Sequence, residues 1–389
     1  MPDLSTAITA FDARAVERAL HSGADPLAPG PDGVTPLRLA VESGSPLLVS
    51  TLLDRQTRER LSPGQREHLL AVARSWYERD VAALGPFTWV EDEQDSRVQQ
   101  LVLDGRTVRA GHGAVLTWLE QEFGVPVPAD ELIARAVRQS AEDHPDRVGA
   151  CGVLSRRQDP ETWTALWALR PDPNPARRLV LAVVLGYRAV VDDVDDPAMP
   201  VAWAREETDA RVLSEVLFVC GLTVHEELGA IGVRYAGHPD PDVRCQVPEL
   251  LGASSPAEVS AMLALADDTD WKVRNAAAQR LAPERAAEYW SPLLTLLHDP
   301  VLRVRLSAAL ALGHSNDPRP EIGDLLRALL EEDDRELREI GGYGLAMRQD
   351  DRAFDAYRRL GPYSEADGGW NPHLEHLRRW VEQQERSRS

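Results

Sequence analysis

Seven arginines, Arg147, Arg178, Arg211, Arg244, Arg274, Arg305 and Arg338, recur at steps of 31, 33, 33, 30, 31 and 33 residues. Each has an acid four to six positions ahead: Asp143, Asp172, Glu207, Asp240, Asp270, Asp299 and Asp334. A guanidinium offers a planar fork of N–H donors that fits a carboxylate or a phosphate, so two chemistries are open to this row. One is a cationic stripe for phosphate or an acidic partner. The other is a structural ladder in which arginine–carboxylate pairs tie turns to helices and repeat to repeat. One acid for every arginine points to the ladder.

Residues two and five positions beyond each arginine project beside it on a helix. They are Gly149 and Gly152 in the first unit, Val180 and Val183 in the second, Leu213 and Val216 in the third, and Ile340 and Tyr343 in the last. If these positions face solvent, Val180, Val183, Leu213 and Val216 form an apolar strip for a partner; the alternative is burial by neighbouring helices. Trp163 and Trp167 stand four apart on one helical face and are a second candidate contact, since tryptophan is favoured at binding hot spots.

Metal and catalytic patterns are weak. His373 and His376 could present two ligands one turn apart, but no third is evident, and Leu374, Leu377, Trp380 and Val381 mark the segment as a capping helix. The acidic run 192–196 lacks the glycine and terminal glutamate of a calcium loop. His225-Glu226 is not followed by a second histidine, and there is no GxSxG elbow, P-loop or GxGxxG. No nucleophile, base and orienting group come together, so no catalytic residue, metal or cofactor is assigned.

The elements that carry the arginines follow one logic. A short Asp/Pro-rich turn stops one helix, an acid precedes the next, and apolar residues then recur at helical spacing. HPDPDVRCQVPELLG, DDTDWKVRNAAAQRLA, HDPVLRVRLSAALALG and EDDRELREIGGYGLA are four clear copies, with three weaker ones upstream. Between them lie second helical stretches such as PAEVSAMLALA and YWSPLLTLLH. Two helices per period of about 32 residues, neither able to bury its face alone, predict a stacked solenoid.

The pattern DxxVRxxAAxALG resembles HEAT repeats, most closely the short type found in phycobilisome lyases. That resemblance covers roughly residues 130–350 and implies a right-handed α-α superhelix of all-α class, with the arginine helix lining its concave side. It implies a binding surface and says little about chemistry.

The first 130 residues carry another repeat. DGVTPLRLAVESGSPLLVSTLLDR resembles an ankyrin unit, with arginine at 38 where that family usually has histidine, and Ala7, Val16, Ala19 and Leu20 align with Ala40, Val49, Leu52 and Leu53 at an offset of 33. Val115 and Leu119 fit a further, half unit. Alternation around Asp104-Gly105 predicts a β-hairpin near 98–109, preceded by an exposed acidic loop. The expected organisation is an ankyrin-like region over 1–130, about seven HEAT-like units over 131–350, and capping helices with a disordered tail over 351–389.

Composition narrows the function. With 43 Lys and Arg against 63 Asp and Glu, the formal charge is −20, which repels phosphate backbones and anionic lipid. Three cysteines at wide separations form neither a disulfide framework nor a zinc ribbon, and no export signal or membrane anchor is read, so a cytoplasmic protein is expected. Lys272 is the only lysine among the basic residues, which points to a GC-rich bacterial genome. The preferred reading is a non-enzymatic scaffold or adaptor, a monomer, that holds a protein or peptide partner on the concave face. The alternatives are a repeat-shell enzyme, glycosylase-like or chromophore-lyase-like, and an acidic immunity or regulatory protein that neutralises a basic partner.

Overall fold

The computed structural model describes the chain except residues 1–2, 80–83, 92–96, 104, 139–140, 142, 192–195, 362–370 and 389. Its architecture is all-α, built from repeated helix pairs with one small sheet. Two compact units are present, Met1–Asp192 and Asp193–Ser389. The acidic run 192–196, the loop preceding the hairpin, and Trp370 fall wholly or mainly outside the described residues.

The first unit opens with α1 (Leu4–Thr9), α2 (Ala13–His21), α3 (Pro36–Ser43), α4 (Pro46–Leu52), α5 (Arg55–Arg60) and α6 (Pro63–Glu78). Most of these starts are written in the sequence. Thr35, Ser45 and Ser62 each precede a proline, and each side chain accepts a hydrogen bond from the third backbone N–H of its helix. Gly44 ends α3 in the left-handed region, and an added Cβ there would lie 1.9 Å from the Arg109 carbonyl, so no other residue fits. Ile8, Val16, Leu37, Val41, Val49 and Leu116 share one core.

Next come β1 (Thr88–Glu91), β2 (Arg97–Leu103) and β3 (Arg106–Arg109), an antiparallel sheet in the order β1-β2-β3. The hairpin is where alternation places it, with Gln100 opposite Arg109 and Leu101 opposite Val108. The third strand, β1, lies in a stretch too short and too exposed to show alternation; it is held by pairing Val90 with Val98 and Trp89 with Gln99.

The unit finishes with α7 (His112–Glu122), α8 (Ala129–Arg138), α9 (Pro145–Arg156), α10 (Pro160–Trp167) and α11 (Pro175–Val191). The boundary expected near residue 130 therefore falls inside it. The reason is a buried polar network that joins α7 to α8 and α9. Arg135 on α8, fully buried, donates to Glu120 Oε2 at 2.6 Å and to Thr117 Oγ1 at 2.8 Å on α7. Asp146 on α9 accepts from the Ala114 backbone N–H at 2.7 Å, capping a helix whose own N-cap residue, Gly111, has no side chain to do so.

The second unit comprises α12 (Ala198–Glu206), α13 (Ala210–Gly221), α14 (Leu228–Tyr235), α15 (Pro241–Leu250), α16 (Pro256–Ala266), α17 (Trp271–Arg280), α18 (Trp290–Leu296), α19 (Leu302–His314), α20 (Glu321–Ala328), α21 (Arg335–Met347), α22 (Ala353–Leu360) and α23 (Pro372–Arg388). The arginine-bearing helices pack successively side by side, α13 on α15, α15 on α17, α17 on α19 and α19 on α21. Where α19 meets α21 the approach is backbone-close, because Gly313 lies against Gly344, and an added Cβ on Gly344 would stand 3.0 Å from the Gly313 Cα. Leu374, Leu377, Trp380 and Val381 of α23 are buried, and the helix continues to Arg388, where an unstructured tail is expected from the sequence.

Candidate functional site

The arginine row forms one repeated contact. In five members a single Nη1 reaches two backbone carbonyls, six and five residues back, that close the preceding turn. Arg178 donates to Asp172 and Pro173, Arg244 to His238 and Pro239, and Arg274 to Asp268 and Thr269. Arg305 donates to Asp299 and Pro300, and Arg338 to Glu332 and Asp333. The guanidinium thereby ties the turn to the helix that follows it, holding two carbonyls at once.

The carboxylate partners differ from the expected ones. Arg244 pairs in bidentate fashion with Asp268 and Arg274 with Asp299, acids 24 and 25 residues downstream in the next lead-in. In three members the acid just ahead of the arginine caps its own helix instead: Asp240 accepts from Asp242 N, Asp270 from Lys272 N and Asp334 from Leu337 N. The pairs therefore tie one repeat to the next, and both carboxylates are held below their usual range by their surroundings, burial opposing and the arginine hydrogen bonds prevailing. Arg147 departs from the pattern and donates its Nε to the Ala136 carbonyl at 3.1 Å.

The expected apolar strip is not a surface. Val180, Leu213, Val216 and Ile340 are buried, Val183 is half-buried, and only Tyr343 keeps a partly open ring. These helices pack side by side with their neighbours, α9 with α11, α13 with α15, and α21 with α19 and α23. Trp163 and Trp167 stand 5.9 Å apart between ring centroids. Trp163 is half-buried, donates its indole N–H to the Arg157 carbonyl and lies under Arg188, whereas Trp167 is 40% exposed.

The open apolar surface lies elsewhere in the first unit. A groove of 570 Å³ is bounded by Trp118 of α7, by Val148 of α9, and by Tyr187, Val190 and Val191 of α11. Its floor includes Gly149 and Gly152, and among the described residues its one charged lining residue is Arg156. Val190 and Val191 are 66% and 80% exposed, large values for adjacent valines. Sequence reasoning placed Gly149 and Gly152 beside the arginine row but had no signal for the exposure of the valines.

The first unit also holds three buried titratable groups. Burial pushes the Asp146 carboxyl up to about 7. It also pushes His144 and His112 down to about 4. His144 accepts from Asp146 N through Nδ1, which leaves Nε2–H to donate to Gln99 Oε1 at 3.0 Å. His112 donates Nε2–H to the Glu42 carbonyl and stacks on Trp76 at 5.2 Å. All three groups are sealed from solvent and act as ties between elements.

In the second unit His314, His373 and His376 surround the Tyr343 ring, with centroids 5.5, 5.0 and 5.1 Å away, and the Tyr343 hydroxyl meets His314 Nε2 at 2.9 Å. A phenol, not an ion, is the hub of this group, and among the described residues no three His, Cys, Asp or Glu side chains are placed to hold a metal. No helix among the described residues is long and apolar enough to cross a membrane.

The family model of HEAT repeats matches residues 259–346. No curated protein matches the sequence. Among solved structures, the X-ray structure of YibA from Escherichia coli is similar, with 15% identity, 66% of this chain and 92% of that chain covered, and a TM-score of 0.46. With its paired helices and carbonyl-holding arginines, the stretch from 259 to 346 is a run of HEAT repeats.

Proposed function

We propose that this chain is a non-enzymatic interaction scaffold that holds a protein or peptide partner, and that the partner docks on the groove of the first unit. The observation that carries this reading is the open apolar groove with Val190 and Val191 exposed on its wall. An apolar groove walled by two exposed valines is a surface on which a partner's apolar face can be buried. HEAT repeats, which the chain matches over 259–346, are commonly scaffolds for other proteins. Val183, Tyr343 and Trp167 are secondary contacts in this reading, and the arginine row is structural.

The test is comparative. Full-length protein and a Val190→Asp/Val191→Asp variant are used as baits in lysate of the source organism at physiological salt. A stoichiometric partner held by the first and lost by the second supports the reading, provided both baits show the same circular dichroism and melting. A partner held equally by both moves the site away from the groove, and the absence of any partner counts against a scaffold.

A further inference from the structure

We infer that the occupant of the groove is an α-helix of the partner, carrying a stripe of apolar residues and one acidic side chain. This rests on the scaffold reading above and names the chemistry of its partner.

The floor is the first reason. Gly149 and Gly152 sit one turn apart on α9 and have ordinary helical backbone. An added Cβ at Gly152 would meet nothing closer than Arg156 Nη1 at 3.9 Å, and one at Gly149 would meet Ala114 at 3.6 Å, an ordinary contact. Neither packing nor backbone conformation calls for glycine here, and glycine weakens a helix interior relative to alanine. What the two glycines supply is depth. A rod can lie backbone-close on α9, as small residues permit between packed helices.

Hydrogen bonding is the second reason. An extended peptide exposes its own N–H and C=O groups and needs partners for them in an apolar groove. This groove supplies few. Its walls are helices with internally bonded backbones; Thr117 donates to the Gly113 carbonyl, Ser155 to the Gly152 carbonyl, and Gln121 accepts from Arg156. A helix arrives with its backbone already satisfied, so only its apolar face needs to match.

Charge selects the remaining feature. Arg156 is exposed at the rim and is the one charged residue among the described residues that line the groove, in a chain of formal charge −20. A single carboxylate on the partner helix can pair with it, whereas a basic helix finds no acid among the lining residues.

The experiment uses the full chain. A displayed library of helix-length peptides is selected on wild type at physiological salt, dodecanoate is titrated as a probe for apolar small molecules, and self-association is followed by sedimentation. The expected binders gain helical circular dichroism when bound, repeat apolar residues at i, i+3/i+4 and i+7, and carry one Asp or Glu. Gly152→Leu weakens them roughly tenfold or more. Gly152→Ala also weakens them while raising Tm, which separates loss of binding from loss of fold. Arg156→Gln weakens only the acidic binders. Selected peptides that bind in extended form, the absence of helical binders, dodecanoate saturation that no helix displaces, or self-association abolished by Gly152→Leu would each overturn the inference. If the valine double variant still loses its partner while bound peptides are extended, the scaffold stands and the helix falls.

Discussion

Glycine appears in the arginine helices of both units, with opposite consequences. On α21 of the second unit, an added Cβ would lie 2.6 Å from the Leu326 carbonyl at Gly341 and 3.0 Å from Leu377 at Gly342. Those glycines are required by what packs on them. On α9 of the first unit, an added Cβ would meet nothing closer than Ala114 at 3.6 Å at Gly149 and Arg156 at 3.9 Å at Gly152, ordinary contacts. The same residue closes one helix interface and leaves the other available. The units differ in their polar ties as well. The second relies on partly buried bidentate pairs, Arg244 with Asp268 and Arg274 with Asp299. The first relies on a buried cluster around Arg135 and Asp146.

The largest expected effect tests that difference in ties. Arg135→Ala leaves Glu120 buried without its main partner and should cost about 3–5 kcal/mol in urea unfolding of the first unit. If the loss is under about 1 kcal/mol, the cluster is not what joins α8 to α7.

Acid should act on the same cluster. The folded-state values of His112 and His144, about 4, lie below their ordinary 6.5. Their contribution is complete above 6.5 and is lost as pH falls towards 4. Asp146, raised from 3.8 to about 7, works the other way, with a contribution present at low pH and lost as pH rises. Two histidines against one carboxyl leave one net proton taken up on unfolding. The first unit should therefore lose about 1.4 kcal/mol per pH unit, roughly 3 kcal/mol in all, between pH 6.5 and 4. Chemical denaturation at stepped pH measures that slope, and His144→Gln should flatten it.

The two glycine sites are then compared directly. Gly341→Ala should destabilise the second unit by about 1–3 kcal/mol, because the backbone carbonyl it meets cannot move aside. Gly152→Ala should stabilise the first unit by up to about 1 kcal/mol, since the methyl group enters open space on a helix. Equal signs from the two thermal melts would erase the distinction between a packed and an open glycine.

The acids ahead of the arginines show how far a sequence carries. Their spacing marked them as the arginines' partners, but Asp240, Asp270 and Asp334 cap their own helices, and it is Asp299 and the lead-in acid Asp268 that pair with the arginine of the preceding repeat. A carboxylate one turn away and another about 25 residues on are equally good ligands for a fork of donors. Sequence distance does not choose between them; the stacking of repeats does. Val180, Leu213 and Val216 teach the same lesson, since their helical face is readable while what covers it is not.

Local chemistry alone determined the helix starts, the repeat period and the hairpin. Capping hydroxyls and carboxylates, prolines at the first helical position and apolar spacing act within a few residues, and they hold wherever the chain folds. Tertiary structure decided what depends on neighbours distant in sequence: the third strand, the joining of α8 and α9 to α7, the identity of each arginine's carboxylate, and the open groove over Gly149 and Gly152. Burial and vacancy are properties of packing, and the spacing of residues along one helix carries no record of which neighbour is absent.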